Sequence, residues 1–314
     1  MPTTRRQHLG MLATALAGAT LGAGPAGAQE APWSAGSEPP RLKVPPNAAD
    51  CHHHIYDARF PPAPAATLRP PDASVEDYRK LQRRLGLTRN VIVQPSTYGT
   101  DNRLLLQSLA EFGREARGIV MLDASVEKSA LRQLHDQGVR GVRFGTRLPG
   151  GAPLDDMVPV ARLIADLGWH IQLVSDGERI FELKDRLAGL PVPVVFDHMG
   201  HLPEPEGPRH RGFAAIAELI EKHGAWVKLT GAYLLSRVGP PTYADRGKVA
   251  AAFVELAPER LVWGTDWPHP TSKADAKPDD AVLLDRLAEW APSAEVQHRI
   301  LVDNPAALYG FDKG

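Results

Sequence analysis

Cysteine is almost missing from this chain: Cys51 is the only one in 314 residues, which excludes an intramolecular disulfide and any Cys-based zinc site. An excess of either charge is missing too. Lys and Arg number 36 against 37 Asp and Glu, a formal net charge of −1, so no broad basic field exists to attract nucleic acid or an anionic membrane surface. No Gly-x-Gly-x-x-Gly follows a predicted strand and no P-loop occurs, which removes the usual signals of dinucleotide and phosphate cradles. Beyond residue 28 no stretch approaches the roughly 18 continuous apolar residues of a membrane span. What is left is chemistry on a small molecule, with neither nucleic acid nor membrane as partner. Oligomeric state stays open, because an amphipathic helix reads the same whether it faces solvent or another subunit.

What is present divides into three parts. Residues 1–28 predict a targeting segment, with Arg5-Arg6, a Gly- and Thr-diluted apolar stretch from Met11 to Ala23, and the small-residue site Ala26-Gly27-Ala28. Paired arginines before so weak an apolar region resemble a twin-arginine signal; an ordinary Sec signal is the alternative, and both imply an exported, periplasmic protein. Residues 29–48 are rich in Pro, Ala, Gly and Ser without periodicity, a linker or arm with no predicted element. The remaining 49–314 form the domain proper, and with 43% hydrophobic residues the chain can fill one large core.

In that domain, short β-rich runs alternate with amphipathic helical stretches. The predicted strands are Asp50 to Ile55, Asn90 to Gln94, Gly118 to Leu122, Gly141 to Phe144, His170 to Val174, Val194 to His198, Trp226 to Thr230 and Leu261 to Gly264. Helical stripes run through Leu105, Leu109 and Phe112, through Ile216 and Ile220, and through Leu283, Leu284 and Leu287. Eight β/α units in this length predict an α/β fold, the (β/α)8 TIM barrel, whose functional groups sit where strands end.

The polar residues gather at those ends. His52-His53-His54 closes the first predicted strand, His198 the sixth, and Asp266 and His269 follow the eighth. Strand alternation puts His52 and His54 on one face with Cys51 and His53 on the other. A His-x-His pair in a barrel mouth can ligate a metal or hold a substrate carbonyl, and a carboxylate beside Trp267 and Pro268 can act as general base, metal ligand or helix cap.

Asp50-Cys51-His52-His53-His54, Phe196-Asp197-His198-Met199-Gly200 and Trp263-Gly264-Thr265-Asp266-Trp267-Pro268-His269 resemble the amidohydrolase superfamily, in particular its 2-pyrone-4,6-dicarboxylate lactonase branch. The resemblance runs from about Asp50 to Tyr309 and implies a distorted barrel. It implies Asp266 as the base that activates water, with His52, His54 and His198 stabilising the oxyanion, and no metal or other cofactor. Metal-dependent members of the superfamily place a carboxylated Lys or a Glu in strand four; here Arg143 and Phe144 stand there, which speaks against a binuclear site. A single zinc or manganese on His52, His54, His198 and Asp266 is the alternative.

Arg143 falls where that branch binds a carboxylate, with Arg147 as a second contact, and a guanidinium suits a carboxylate bidentately. Ser96, Tyr98, Asn102, Asp176, Tyr233 and His269 complete the expected substrate contacts. Leu148-Pro149-Gly150-Gly151, Asp176-Gly177 and Gly231-Ala232-Tyr233 are similar instead to the D-galactarolactone isomerase branch. The expected substrate is a carboxylated or sugar-acid lactone. Hydrolysis is the leading reading. Isomerisation, metal-dependent decarboxylation or amide hydrolysis, and a non-catalytic exported binding protein are the rivals.

Overall fold

The computed structural model describes residues 30–312, so the expected leader at 1–28 lies outside the described residues. Strands β1 (Ala49–His53), β2 (Arg89–Val93), β3 (Ala116–Val120), β4 (Val139–Gly145), β5 (His170–Val174), β6 (Val194–Phe196), β7 (Trp226–Leu229) and β8 (Leu261–Trp263) lie parallel, in sequence order, in one sheet. Each is followed by its helix: α1 (Val75–Leu85), α2 (Arg103–Phe112), α3 (Lys128–Asp136), α4 (Met157–Ile164), α5 (Gly177–Ala188), α6 (Arg211–His223), α7 (Ala244–Leu256) and α8 (Asp280–Trp290). This is the predicted barrel. Among the described residues no helix is long and apolar enough to cross a membrane.

Local chemistry starts and stops the helices. Ser74 and Asp77 form a reciprocal capping box at α1, whose end is closed by Gly86 in the left-handed region at φ 72°. Tyr78, Leu81 and Leu85 bury the inward stripe of that helix.

Barrel closure depends on one carboxylate. No regular ladder joins β8 to β1; instead Asp50 accepts hydrogen bonds from the backbone N–H of His52 (3.0 Å) and Thr265 (3.0 Å) and from the hydroxyls of Thr265 (2.6 Å) and Tyr78 (3.0 Å). Backbone bonds from Asp266 to the His52 carbonyl (2.7 Å) and from His54 to the Trp267 carbonyl (2.8 Å) continue the seam. Gly264 permits the approach, since a Cβ there would stand 2.7 Å from the His52 nitrogen.

The interior is layered. Ala49, Cys51, Val91, Val93, Ile119, Val195 and Val262 fill the lower barrel, closed from below by Tyr309 and Phe311. The expected alternation fails in β1, where the register shifts between Asp50 and His53. That irregularity turns both Cys51 and His52 inward, while His53 stacks on Tyr78 on the helix side at 3.7 Å between ring centroids.

The arm is docked. Buried Arg84 donates to the carbonyl of Ala35, the Ser34 hydroxyl and Asp279, Trp267 Nε1 donates to the Pro32 carbonyl (2.7 Å), and Asp285 receives the N–H of Leu42 (2.9 Å). Residues 30–42 thus brace the segment that follows β8.

Candidate active site

Above the apolar layer, at the C-terminal ends of the strands, lies a cavity of about 300 Å³. His54, Ser96, Arg143, Arg147, His198 and Asp266 reach it, and Leu68, Met121, Val174 and Leu234 supply much of its wall. Asp266 has left-handed backbone (φ 66°), and its N–H bond to the His52 carbonyl fixes it over β1.

One carboxylate oxygen of Asp266 gathers imidazoles. Its Oδ1 lies 3.4 Å from His54 Nε2, 3.5 Å from His52 Nε2 and 3.9 Å from His198 Nε2. The other oxygen, Oδ2, receives the Tyr233 hydroxyl at 2.6 Å. Burial works to raise the Asp266 pKa, but His198, His54 and His52 outweigh it and hold the carboxyl well below its ordinary range. Burial in turn depresses the His198 imidazole, and depresses His52 strongly.

Each ring is held from behind. His54 Nδ1 donates to the Val93 carbonyl (2.7 Å), which leaves Nε2 as a lone pair unless the ring takes a second proton. His198 Nδ1 meets the Thr230 hydroxyl at 2.7 Å. His198 does not end a strand: β6 stops at Phe196, and His198, Met199 and Gly200 form a left-handed turn with φ 52°, 54° and 66°. Such backbone is costly outside glycine. It drops Asp197 beneath the cavity and lifts His198 into it.

His52 lies behind Asp266 rather than on the cavity wall, and it is fully buried. Its Nδ1 is 3.3 Å from Asp197 Oδ1. Asp197 also receives Arg143 Nε (3.2 Å) and Gln172 Nε2 (3.1 Å), with Lys228 Nζ at 3.9 Å. Arg143 thus reaches the cavity with part of its guanidinium already engaged, since Nη1 also donates to the Gln94 carbonyl (3.1 Å). Arg147 is exposed at the rim.

Three expected contacts lie elsewhere. Tyr98 exchanges hydrogen bonds with the backbone of Asp57; Asn102 ties the Met121 backbone with both amide atoms (2.8 and 3.0 Å); Asp176 caps α5 by accepting from the Arg179 N–H (3.0 Å). All three side chains are spent on local backbone. His269 is a neighbour at one remove, packed edge-on against Tyr233 at 5.0 Å and hydrogen-bonded to Asp280 (3.0 Å). His170 sits at the entering end of β5, as expected, against Tyr309.

Sequence reasoning assigned no role to Asp197, Lys228 or His201. Asp197 stood inside the quoted motif Phe196-Asp197-His198-Met199-Gly200, and Lys228 was signalled only by being polar in the otherwise apolar run Val227-Lys228-Leu229. His201 lines the cavity and packs edge-on against His198 at 4.9 Å.

A metal has a place here in principle. His52, His198 and Asp266 offer ligand atoms within 4.8 Å of one another, a set that omits His54 from the expected four.

Comparison with known proteins agrees with this geometry. The chain is 39% identical over 289 residues to a 2-pyrone-4,6-dicarboxylate hydrolase of Comamonas testosteroni, covering 88% of this chain and 94% of that one. It is 36% identical to a 4-sulfomuconolactone hydrolase of Rhizobium radiobacter (87% and 93% covered) and 34% identical to a D-galactarolactone isomerase of Agrobacterium fabrum (86% and 93%). An apo crystal structure of an Agrobacterium tumefaciens protein superposes with a TM-score of 0.82 at 33% identity, covering 90% of this chain and 99% of that one. Residues 49–311 match the amidohydrolase family as a whole, and with eight parallel strands carrying the histidines and the strand-eight aspartate to one mouth, the chain belongs to that family.

Proposed function

We propose that this protein hydrolyses a lactone ester that carries a carboxylate, with Asp266 as general base and no requirement for a metal. The observation that carries the reading is the Asp266 carboxyl facing the cavity beside His54 and His198. Water between Asp266 and the lactone carbonyl gives its proton to Oδ1 while its oxygen bonds to the carbonyl carbon. His198, with Thr230 donating to Nδ1, presents Nε2–H to the developing oxyanion, and His54 does so when its ring takes a second proton. Collapse breaks the ring C–O bond, and the proton held by Asp266 passes to the departing alkoxide. Arg147 and the uncommitted part of Arg143 meet the carboxylate. Two relatives are hydrolases of pyrone or muconolactone substrates, which supports this chemistry. Asp266 is the water-activating group, and its presence favours hydrolysis over isomerisation.

A second reading is favoured by one observation, the convergence of His52, His198 and Asp266. A zinc or manganese ion held by these residues would polarise the carbonyl and acidify a bound water. The leader-like residues 1–28 make the periplasm the proposed place of action, which fractionation of cells expressing the full chain checks.

The deciding experiment is acid release from a panel of carboxylated and sugar-acid lactones after exhaustive chelation, with Asp266→Asn alongside. Activity that survives chelation and disappears in the variant is the expected result. Activity that chelation abolishes and zinc or manganese restores would establish the metal reading. Tight binding without turnover across the panel would make the protein a binder.

A further inference from the structure

Asp266 follows β8, and in a ring of eight strands taken in order the ends of β3, β4 and β5 stand across the mouth from it. Apart from Arg143 and Arg147, that far wall is hydrocarbon. Met121 follows β3, Val174 ends β5, and between them β4 and its loop contribute Gly145 and Gly151. A Cβ at Gly145 would stand 2.8 Å from Val174 Cγ1, and one at Gly151 would stand 3.7 Å from Met121 Sδ. Val174 therefore packs against the bare backbone of Gly145, with Met121 beside Gly151, and both glycines keep side-chain bulk off the wall. Leu148 carries the same apolar character to the rim, where it is 40% exposed.

The polar groups of these three strand ends are engaged elsewhere. Asn102 occupies both the N–H and the carbonyl of Met121, and the Val174 carbonyl accepts from the Thr146 N–H at 3.0 Å. The hydroxyls of Thr146 and Ser175 hold each other at 2.8 Å, and Asp176 is committed to its helix. A polyhydroxylated ring pressed on this wall would leave hydroxyls without partners, and each costs on the order of tenfold in binding. A hydrocarbon group there loses nothing and leaves water.

Resting on the hydrolytic reading, we propose that the wall of Met121, Gly145, Gly151 and Val174 is a subsite for a hydrocarbon substituent, so that the substrate is a lactone carrying an alkyl or aryl arm as well as its carboxylate. The arm lies across the cavity from Asp266. Arg143 and Arg147, which flank Gly145 in sequence, take the carboxylate. Val174 is the specificity-determining side chain, because it is branched, stiff and fixed at a strand end, whereas the thioether of Met121 adapts to arms of different shape.

The test uses the full protein and a carboxylated five-membered lactone bearing hydrogen, methyl, ethyl, propyl or hydroxymethyl on one ring carbon, the ethyl and hydroxymethyl forms being matched in size. In the parent, kcat/KM is expected to rise about fourfold with each carbon added, and ethyl to exceed hydroxymethyl by on the order of tenfold. Val174→Thr exchanges a methyl for a hydroxyl at nearly constant volume, and the ethyl-to-hydroxymethyl ratio is expected to fall by on the order of tenfold. Val174→Ala is the companion variant; it deepens the wall without adding a polar atom and is expected to move the preferred arm to a longer one. Equal rates across the series, a preference for hydroxymethyl, or a ratio and arm length that neither variant shifts would each overturn the subsite and leave the hydrolytic reading standing. If no lactone is opened, titration calorimetry with the ring-opened hydroxy acids of the same series decides the subsite alone. Affinity that climbs with each carbon, with an increasingly negative heat-capacity change, keeps the subsite and sinks the hydrolytic reading; flat or absent affinity overturns both.

Discussion

The Tyr233 hydroxyl donates to Asp266 Oδ2 at 2.6 Å, on the oxygen turned away from the imidazoles, so the two halves of this carboxylate face different partners. A donor to a carboxylate favours its ionised form. Removing it by Tyr233→Phe raises the proton affinity of Asp266, and the acid limb of the kcat/KM profile is expected to move to higher pH. The lost bond to a charged group costs about 1.5–3 kcal/mol of stability. A pH–rate profile superimposable on that of the parent would show that Oδ2 has no part in tuning the base.

Asp50 gives a pH signature of a different kind. Burial raises its pKa from 3.8 to about 6, against the hydrogen bonds from Thr265, His52 and Tyr78. Its folded pKa exceeds its unfolded one, so the folded state binds the proton more tightly, and stability falls as pH rises from about 4 to 6. A shift of this size corresponds to about 3 kcal/mol. Asn in its place keeps the acceptor for the two backbone N–H groups, and its NH2 donates to the hydroxyls of Tyr78 and Thr265. Chemical denaturation at pH 4, 5, 6 and 7 is expected to show that Asp50→Asn loses this segment of pH dependence and stays folded.

The two arginines are expected to separate binding from folding. Arg147 is exposed and free of ion pairs among the described residues, so Arg147→Ala raises KM for an anionic lactone and leaves the melting temperature unchanged. Arg143→Ala strips a donor from buried Asp197, and removing one partner of such a pair costs about 3–5 kcal/mol. Steady-state kinetics and thermal melts on both variants make the comparison. Equal effects on stability would contradict the burial difference.

Asp176→Ala and Asn102→Ala are expected to leave KM unchanged while lowering stability. The first loses a helix cap worth about 1 kcal/mol; the second leaves the Met121 backbone unpaired at a cost of about 1–3 kcal/mol. A rise in KM for either would return that residue to the substrate site.

What could be read from the sequence follows from periodicity. Eight strands, their order, and His54, His198 and Asp266 at one mouth are properties of alternation and spacing, whereas the missing strand-four bridging ligand is what the family resemblance implies. The bulge in β1 is not, because an extra residue leaves no mark on composition; alternation therefore put Cys51 on the wrong face. The left-handed turn at 198–200 was hidden for the same reason, since only Gly200 of its members prefers that backbone. Tyr98, Asn102 and Asp176 engage backbone, an outcome the sequence does not show because polar side chains near strand ends serve backbone and substrate alike. Lys228 escaped because its partners, Asp197 and the Cys51 carbonyl, come from other parts of the chain.

The bond between Asp50 and the Thr265 N–H joins residues 215 positions apart. Contacts so distant in sequence must wait for the intervening chain to be ordered. Until β8 arrives, His54 and His198 have no carboxylate between them, so under the proposed chemistry neither a nascent chain nor a partly opened molecule carries a working centre. Activity becomes an all-or-none reporter of the completed ring, and its loss on heating is expected to coincide with loss of the barrel rather than to precede it.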